Sequence, residues 1–437
     1  MAGVAVLPSL SASPPQILRR HLGAAVVGNA LEFYDFSTYA YFAAQIGRAF
    51  FPSHSAFASL MASLAVFGVG FVSRPIGAIV LGAYGDRVGR KPAMLLCFVL
   101  MGVAILGLVV TPSFAQIGVA APVLVLLLRL VQGFALGGNV GPTTAFMLEA
   151  APAGRRGFYA SLQYASQGLS TVLSGVVGVA LSHILNASQL DAYGWRIAFL
   201  IGALILPFGL VIRGSLPETL HQGSVAEEAA GPLRAHARTL VSGFAMLAST
   251  TVGFYVLAYL TTFSSQSLHM RTEASFAATV AFGIANVVFS PIGGILSDYY
   301  GRKPIMVGAR ILFAVAAIPG FVLLVHNRDA KTLIAVAFVL GAFSQLASPS
   351  LVALTEALPR AMRSASLAIN YAFAIAIFGG STQFVVTWLL HVTGNLLMPA
   401  YYLSIANVVG IVAMLAMKET APRALAARAA RIARAAS

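Results

Sequence analysis

The chain has 437 residues, 59% of them hydrophobic and only 9% charged, whereas soluble domains carry about 25% charged residues. A water-soluble fold is thereby excluded and an integral membrane protein expected. A net charge of +14 invites nucleic acid as a partner, but the basic residues gather in alternate loops between apolar runs, so no nucleic-acid partner is expected.

In chain order, residues 1–20 (MAGVAVLPSLSASPPQILRR) read as a disordered cytoplasmic tail, because the apolar run behind Arg19 and Arg20 is too long for a signal peptide. Apolar runs of about 20 residues, the length of a membrane-spanning helix, then predict spans at 22–47, 57–84, 93–111, 119–148, 157–182 and 196–213. The stretch 214–239, dense in Pro, Glu and Arg, reads as a linker. Six further spans follow at 240–266, 275–298, 305–326, 332–356, 364–389 and 396–417, and residues 418–437 form a basic tail. The expected organisation is an all-α membrane protein of twelve helices: a six-helix bundle over 21–213, the cytoplasmic linker and a second six-helix bundle over 240–417.

An even number of spans puts both termini on one side. With the termini inside, inner loops and tails hold 19 of the Arg and Lys residues and outer loops only 5, namely Arg48, Arg196, Arg271, Arg328 and Lys331. The positive-inside rule therefore predicts cytoplasmic termini in a plasma (inner) membrane, with the basic tail touching anionic lipid.

An internal repeat underlies the two bundles. GDRVGRKP at 85–92 returns as SDYYGRKP at 297–304, and EAAPAGRRG at 149–157 returns as EALPRAMRS at 356–364; the offsets are 212 and 207 residues. Two motifs repeated at nearly one offset indicate a duplicated six-helix unit.

These motifs carry a family resemblance over nearly the whole chain. Gly82, Asp86, Arg87, Gly89, Arg90 and Lys91 resemble the signature loop of the major facilitator superfamily, and Arg129, Gln132 and Gly133 resemble its R-x-x-Q-G motif. GNALEFYDF, GFVSRPIGAIVLGAYGDRVGRK and RLVQGFALGG look like the metabolite:proton symporters within it, and the wording of the second span looks closest to citrate and tricarballylate permeases. The resemblance implies the major facilitator fold and proton-coupled import of citrate, another di- or tricarboxylate, shikimate or proline/betaine. One departure concerns substrate: the group usually has an acid shortly after the Gly pair of the fourth span, where this chain has Asn139.

Ionisable residues deep in a membrane cost on the order of 3 kcal/mol each and are functional candidates by default. Glu32 and Asp35 in the first span, Arg74 in the second and Arg129 in the fourth are such residues. Glu32 and Asp35 share a helix face with Asn29 and Tyr39. Burial disfavours a carboxylate's charged form and a neighbouring arginine favours it, so an acid moving between the two environments would load and release a proton. Asp35, Glu32 and Arg129 are the candidates for coupling, against the alternative of fixed ion pairs.

Arg74 and Arg129 are also candidates to clamp an anion, since guanidinium binds carboxylate through paired hydrogen bonds. Asn29, Tyr39, Asn139, Gln163, Gln167, Asn286, Gln345, Asn370 and Tyr371 are neutral polar candidates to complete the substrate site, or else hydrogen bonds between helices. Arg310, a few residues past Pro304, is expected to snorkel to the inner surface. Asp86, Arg87, Arg90, Glu149 and Arg156, with their repeat partners Asp298, Arg302, Glu356 and Arg363, are candidate gating charges at the inner helix ends.

No H-E-x-x-H, Gly-x-Ser-x-Gly or Cys/His cluster occurs, and Cys97 is the lone cysteine, so neither enzymatic catalysis nor a metal or other cofactor is expected. The proton is the expected coupling ion. The expected partners are protons, a small organic anion and the lipid bilayer, with the chain working as a monomer. The alternative is a zwitterion substrate such as proline or betaine, held by an aromatic cage of Phe33, Tyr34, Tyr39 and Tyr41.

Overall fold

In lipid every backbone N–H and C=O has to be satisfied within the protein, and apolar runs of this length do so as helices. The computed structural model describes residues 19–149, 151–152, 154–214, 236–358, 363–426 and 430. The expected tail before Arg19, residues 215–235 of the expected linker and the side chains of Asp86, Arg90, Asn139, Glu149 and Arg363 lie outside the described residues.

The first span is Arg19–Tyr41 continued by Ala43–Phe50, and the second is Ala56–Val72 continued by Arg74–Val88. The next four are Arg90–Val110, Ala120–Glu149, Arg156–Ile184 and Trp195–Gly214. The seventh, eighth and ninth are Ala237–Thr262, Thr272–Tyr300 and Arg302–Asn327. The tenth is Ala330–Leu346 continued by Ser350–Glu356, the eleventh runs from Arg363 to Thr393, and the twelfth is Met398–Ala416. These fall within a few residues of the expected spans. Among the described residues, ten helices are long and apolar enough to cross a membrane; the first and sixth spans complete the twelve.

The interruptions have identifiable causes. Pro75 lacks an N–H, so the second span breaks at Ser73, whose hydroxyl donates to the carbonyls of Gly70 (3.0 Å) and Leu130 (2.8 Å). Pro349 breaks the tenth span, and the nearby Ser348 hydroxyl donates to the carbonyl of Ser290 at 2.8 Å. The eleventh span widens into a π-helical turn at Ile375–Gly379.

Each copy of the repeated motif turns the chain from one helix into the next through a single residue, Gly89 or Gly301. Their φ values of 123° and 109° lie in a region open in practice only to glycine. The repeat thus encodes the same one-residue hinge twice.

Small residues let helices meet at backbone distance. A Cβ on Gly133 would overlap the Gly70 carbonyl oxygen and one on Gly137 that of Arg74, so the second and fourth spans press together where Arg74 and Arg129 project. Between the bundles, the fifth and eighth spans touch along their length, with Gly157 against Gly294, Gly168 against Gly283 and Gly178 against Phe276. The second and eleventh spans meet at Gly68 and Gly380, where a Cβ on either would come within 2.7 Å of the other's carbonyl oxygen. Away from the termini, Phe42 packs on Phe276 and Phe57 stacks on His391 with ring centroids 3.7 Å apart.

The hinge account predicts that Gly301→Ala destabilises the protein by ~1–3 kcal/mol through backbone strain, its Cβ also approaching Glu419 Oε2 at 2.8 Å. Gly308→Ala, inside the ninth span with open space around it, should leave thermal unfolding of the detergent-solubilised protein unchanged or raised. Equal melting temperatures for Gly301→Ala and wild type would contradict the account.

Candidate functional site

The polar stripe of the first span faces inward: Asn29, Glu32, Asp35 and Tyr39 are all at most 2% exposed. Asp35 lies 3.9 Å from Arg129 Nη1, an ion-pair distance too long for a hydrogen bond. Neither carboxylate oxygen of Asp35 has a hydrogen-bond partner among the described residues. Arg129 donates instead to Gln132 Oε1 at 2.5 Å, and its guanidinium lies 4.3 Å from the Tyr39 ring centre and 4.8 Å from that of Phe36. The R-x-x-Q spacing, one helical turn, is what brings Gln132 to Arg129.

Arg74 stands apart from the acids. Its guanidinium lies against two rings that meet edge to face, Phe36 (4.4 Å) and Phe71 (4.1 Å), and no ion pair joins it to a carboxylate among the described residues. Tyr255 and Tyr371 lie beside it, and its Nε and Nη2 have no hydrogen-bond partner among the described residues. A cation over an aromatic face is stabilised by ~0.5–2 kcal/mol, less than the cost of burying it. The break at Ser73 and Pro75 delivers Arg74 to this position at the start of a helix.

Those two tyrosines also line a cavity between the bundles. The first bundle supplies Phe33, Tyr164 and Gln167; the second supplies Thr250, Thr251, Phe254 and Tyr255 of the seventh span, Gln345 of the tenth, and Tyr371 and Ile375 of the eleventh. The empty space here, open solvent included, is ≈ 420 Å³. Gln167 donates to the Tyr371 hydroxyl at 3.3 Å across the bundle boundary, and Ser290 donates to Gln345 Oε1 at 3.0 Å. The π-helical turn begins at Ile375 and so re-aims the eleventh span beside the cavity.

Of the expected substrate residues, the structure brings Gln167, Gln345 and Tyr371 to this cavity, with Arg74 adjoining. Asn29 is placed elsewhere: it donates to Ser166 at 2.6 Å and accepts from Gln163 at 3.3 Å, tying the first span to the fifth. Asn286 packs against Gly168 between the bundles, and Tyr39 donates to the Ser63 carbonyl beneath Arg129. Glu32 is buried and Asn370 half-buried, each with interactions inside the protein.

Of the four aromatic residues suggested for a cage, only Phe33 lines the cavity. Tyr34 bonds the Ala198 carbonyl and Tyr41 lies 3.5 Å from Thr171 Oγ1. Thr250, Thr251 and Phe254 were not anticipated; the signal available in the sequence is the i, i+4 spacing of Thr250 and Phe254 on one face of the seventh span.

One expectation is corrected. Arg310 does not snorkel to a surface: it is fully buried, donating to Thr250 Oγ1 at 2.6 Å and Asn407 Oδ1 at 3.2 Å. Eight residues past Arg302, it sits about 12 Å along the helix, and its face is turned to the seventh and twelfth spans.

At the end carrying the termini, Asp298, Arg302 and Glu356 form one network. Arg302 Nη1 donates to Asp298 at 2.6 Å, and Nε and Nη2 donate to the two oxygens of Glu356 at 3.2 Å each. Asp298 also accepts from the backbone N–H groups of Gly157 (2.9 Å) and Phe158 (3.0 Å), so a carboxylate of one bundle caps the fifth-span helix of the other. Arg87 and Arg156 are exposed.

Glu419, read from sequence only as part of a tail, accepts from the backbone N–H groups of Arg302 (2.8 Å) and Lys303 (3.0 Å), while Thr420 donates to Glu356 at 2.9 Å. Among the described residues, no group of three His, Cys, Asp or Glu side chains is arranged to hold a metal.

Comparison with known proteins agrees with this architecture. The family described as "Sugar (and other) transporter" matches residues 22–234, and "Major Facilitator Superfamily" matches residues 239–435. A citrate-proton symporter of Klebsiella pneumoniae is 36% identical over 394 residues, 88% of each chain. A proline/betaine transporter of Salmonella typhimurium is 32% identical, covering 90% of this chain and 82% of its own. Among solved structures, the partially occluded inward-open xylose transporter XylE from E. coli superposes with a TM-score of 0.73 at 19% identity, over 92% of this chain and 98% of that one. The twelve-helix chain, with its two related bundles around a central cavity, belongs to the major facilitator superfamily of membrane transporters.

Proposed function

We propose that the protein is a proton-coupled symporter that imports a small carboxylate, citrate or a related tricarboxylate, by alternating access. The observation that carries the substrate class is Arg74: a desolvated guanidinium beside the central cavity, with no carboxylate partner among the described residues. A bound carboxylate supplies the missing counter-charge through two hydrogen bonds. The likeness to citrate-proton symporters at 36% identity supports this reading.

Asp35 is the proton carrier in this account. As an anion it is held by Arg129 alone, at 3.9 Å and without a hydrogen bond. A buried carboxylate so poorly satisfied costs several kcal/mol, and taking up a proton removes that cost. A small movement of the first span against the fourth therefore changes which form is stable. The basic end faces the cytoplasm of an inner membrane, where the Asp298 cap on the fifth-span helix holds that end together and has to release for substrate to leave.

A zwitterion such as proline or betaine is the second reading. Phe33, Tyr164, Phe254, Tyr255 and Tyr371 line the cavity with aromatic faces, and the likeness to proline/betaine transporters keeps it in play. The rings of Phe36, Phe71 and Tyr39 are already occupied by guanidinium groups.

Three outcomes check the account. In proteoliposomes with an inward proton gradient, labelled citrate should accumulate and be displaced by tricarballylate but not by proline; proline accumulation without citrate uptake would move the substrate to the second reading. Asp35→Asn should abolish gradient-driven accumulation while retaining citrate exchange, and full accumulation by that variant would remove Asp35 as carrier. Arg74→Gln should raise the citrate KM by roughly 10- to 100-fold, the equivalent of losing a charge-assisted interaction of about 1.5–3 kcal/mol; an unchanged KM would contradict the clamp.

A further inference from the structure

The ninth span carries a guanidinium that proton coupling does not use. Both hydrogen-bond acceptors of Arg310, the Thr250 hydroxyl and the Asn407 amide oxygen, are neutral. Its Nε has no hydrogen-bond partner, and no ion pair joins it to a carboxylate, among the described residues. Packing alone does not account for a charge here, because an apolar side chain of similar volume would fill the same space without desolvation cost.

Its location supplies a reason. Thr250, which Arg310 bonds, lines the central cavity, and Tyr164 of the cavity lining lies beside it. Arg74 adjoins the same cavity through Tyr255 and Tyr371, which line it. One cation belongs to the first bundle and the other to the second, and between them the lining offers aromatic rings and neutral hydrogen-bonding groups.

We propose that Arg310, with Thr250 and Asn407, forms a second anion subsite, and that the substrate is a di- or tricarboxylate bridging the bundles with one carboxylate on Arg74 and another on Arg310. This rests on the carboxylate reading above and adds to it a reason for closure. A molecule with two carboxylates neutralises a charge in each bundle and draws the two together. A monocarboxylate or a zwitterion neutralises one and leaves the other without a counter-charge beside the cavity.

The test is calorimetric binding to the purified full chain in nanodiscs, with tricarballylate, succinate and succinamate, the last matching succinate in length but lacking one carboxylate. Wild type should bind succinate at least about tenfold more tightly than succinamate, as expected for one added charge-assisted pair. In Arg310→Gln that preference should fall to about twofold or less, with succinamate affinity itself little changed. Thr250→Val, which keeps the charge but removes the hydroxyl that aims it, should give an intermediate ratio. An undiminished ratio in Arg310→Gln would overturn the subsite while leaving the carboxylate reading intact. If that variant cannot be recovered folded, Thr250→Val decides, and an unchanged ratio there overturns the subsite. Wild type that binds proline or betaine but none of the three carboxylates would instead overturn the carboxylate reading, and the subsite with it.

Discussion

Charge taken out of water has to be met by something, and that constraint organises the interior of this bundle. Asp35, Arg74, Arg129 and Arg310 are each at most 3% exposed, yet the only ion pair that the described residues form among them is the long Asp35–Arg129 contact at 3.9 Å. A protein selected only for stability would shorten that pair or replace its members with apolar residues. The chain instead sets the guanidinium groups of Arg74 and Arg129 against the aromatic faces of Phe36, Phe71 and Tyr39, which stabilise a cation without neutralising it. Among the described residues one acid is thereby left poorly satisfied and two cations lack a counter-charge, and on the proposed reading a proton and an anion complete the site.

The backbone arrangement serves the same end. Glycine contacts between the second and fourth spans hold Arg74 and Arg129 in fixed relation within one bundle. Contacts between bundles use the same device, backbone against backbone at Gly68 and Gly380 and at glycines of the fifth and eighth spans. Where glycines meet, rigid bundles can move against each other with less side-chain interlock to break. At the basic end the seam is fastened by a carboxylate on helix N–H groups, with Arg302, Glu356 and Glu419 gathered behind it.

Most of the fold was legible in the sequence because the bilayer leaves few alternatives: an apolar run of the right length has to be a helix. The repeat was equally readable, and the structure gives its glycines a physical role as one-residue hinges with positive φ. Less of the candidate site was legible. The charged positions stood out by composition, but sequence could not pair them, and the division of Arg129 to Asp35 and Arg74 to the cavity emerges from packing. Arg310 was misjudged because distance along a helix does not say which face a side chain occupies. Asn29 and Gln163 looked like ligand contacts, and in the structure Gln163 donates to Asn29 across the first and fifth spans, since an interhelical hydrogen bond and a binding group have the same composition. Glu419 was invisible for the opposite reason: a lone acid in a basic tail carries no signal until the tail folds back onto the ninth span.

The central claim is that protons and substrate move together. Proteoliposomes loaded with a pH-sensitive dye, with no proton gradient imposed and the membrane potential clamped, would be given external citrate. The account predicts acidification of the lumen that tracks citrate entry in wild type, beyond any shift from buffering by the anion itself, and that is lost in Asp35→Asn. Citrate entry with no accompanying proton movement in wild type would contradict it.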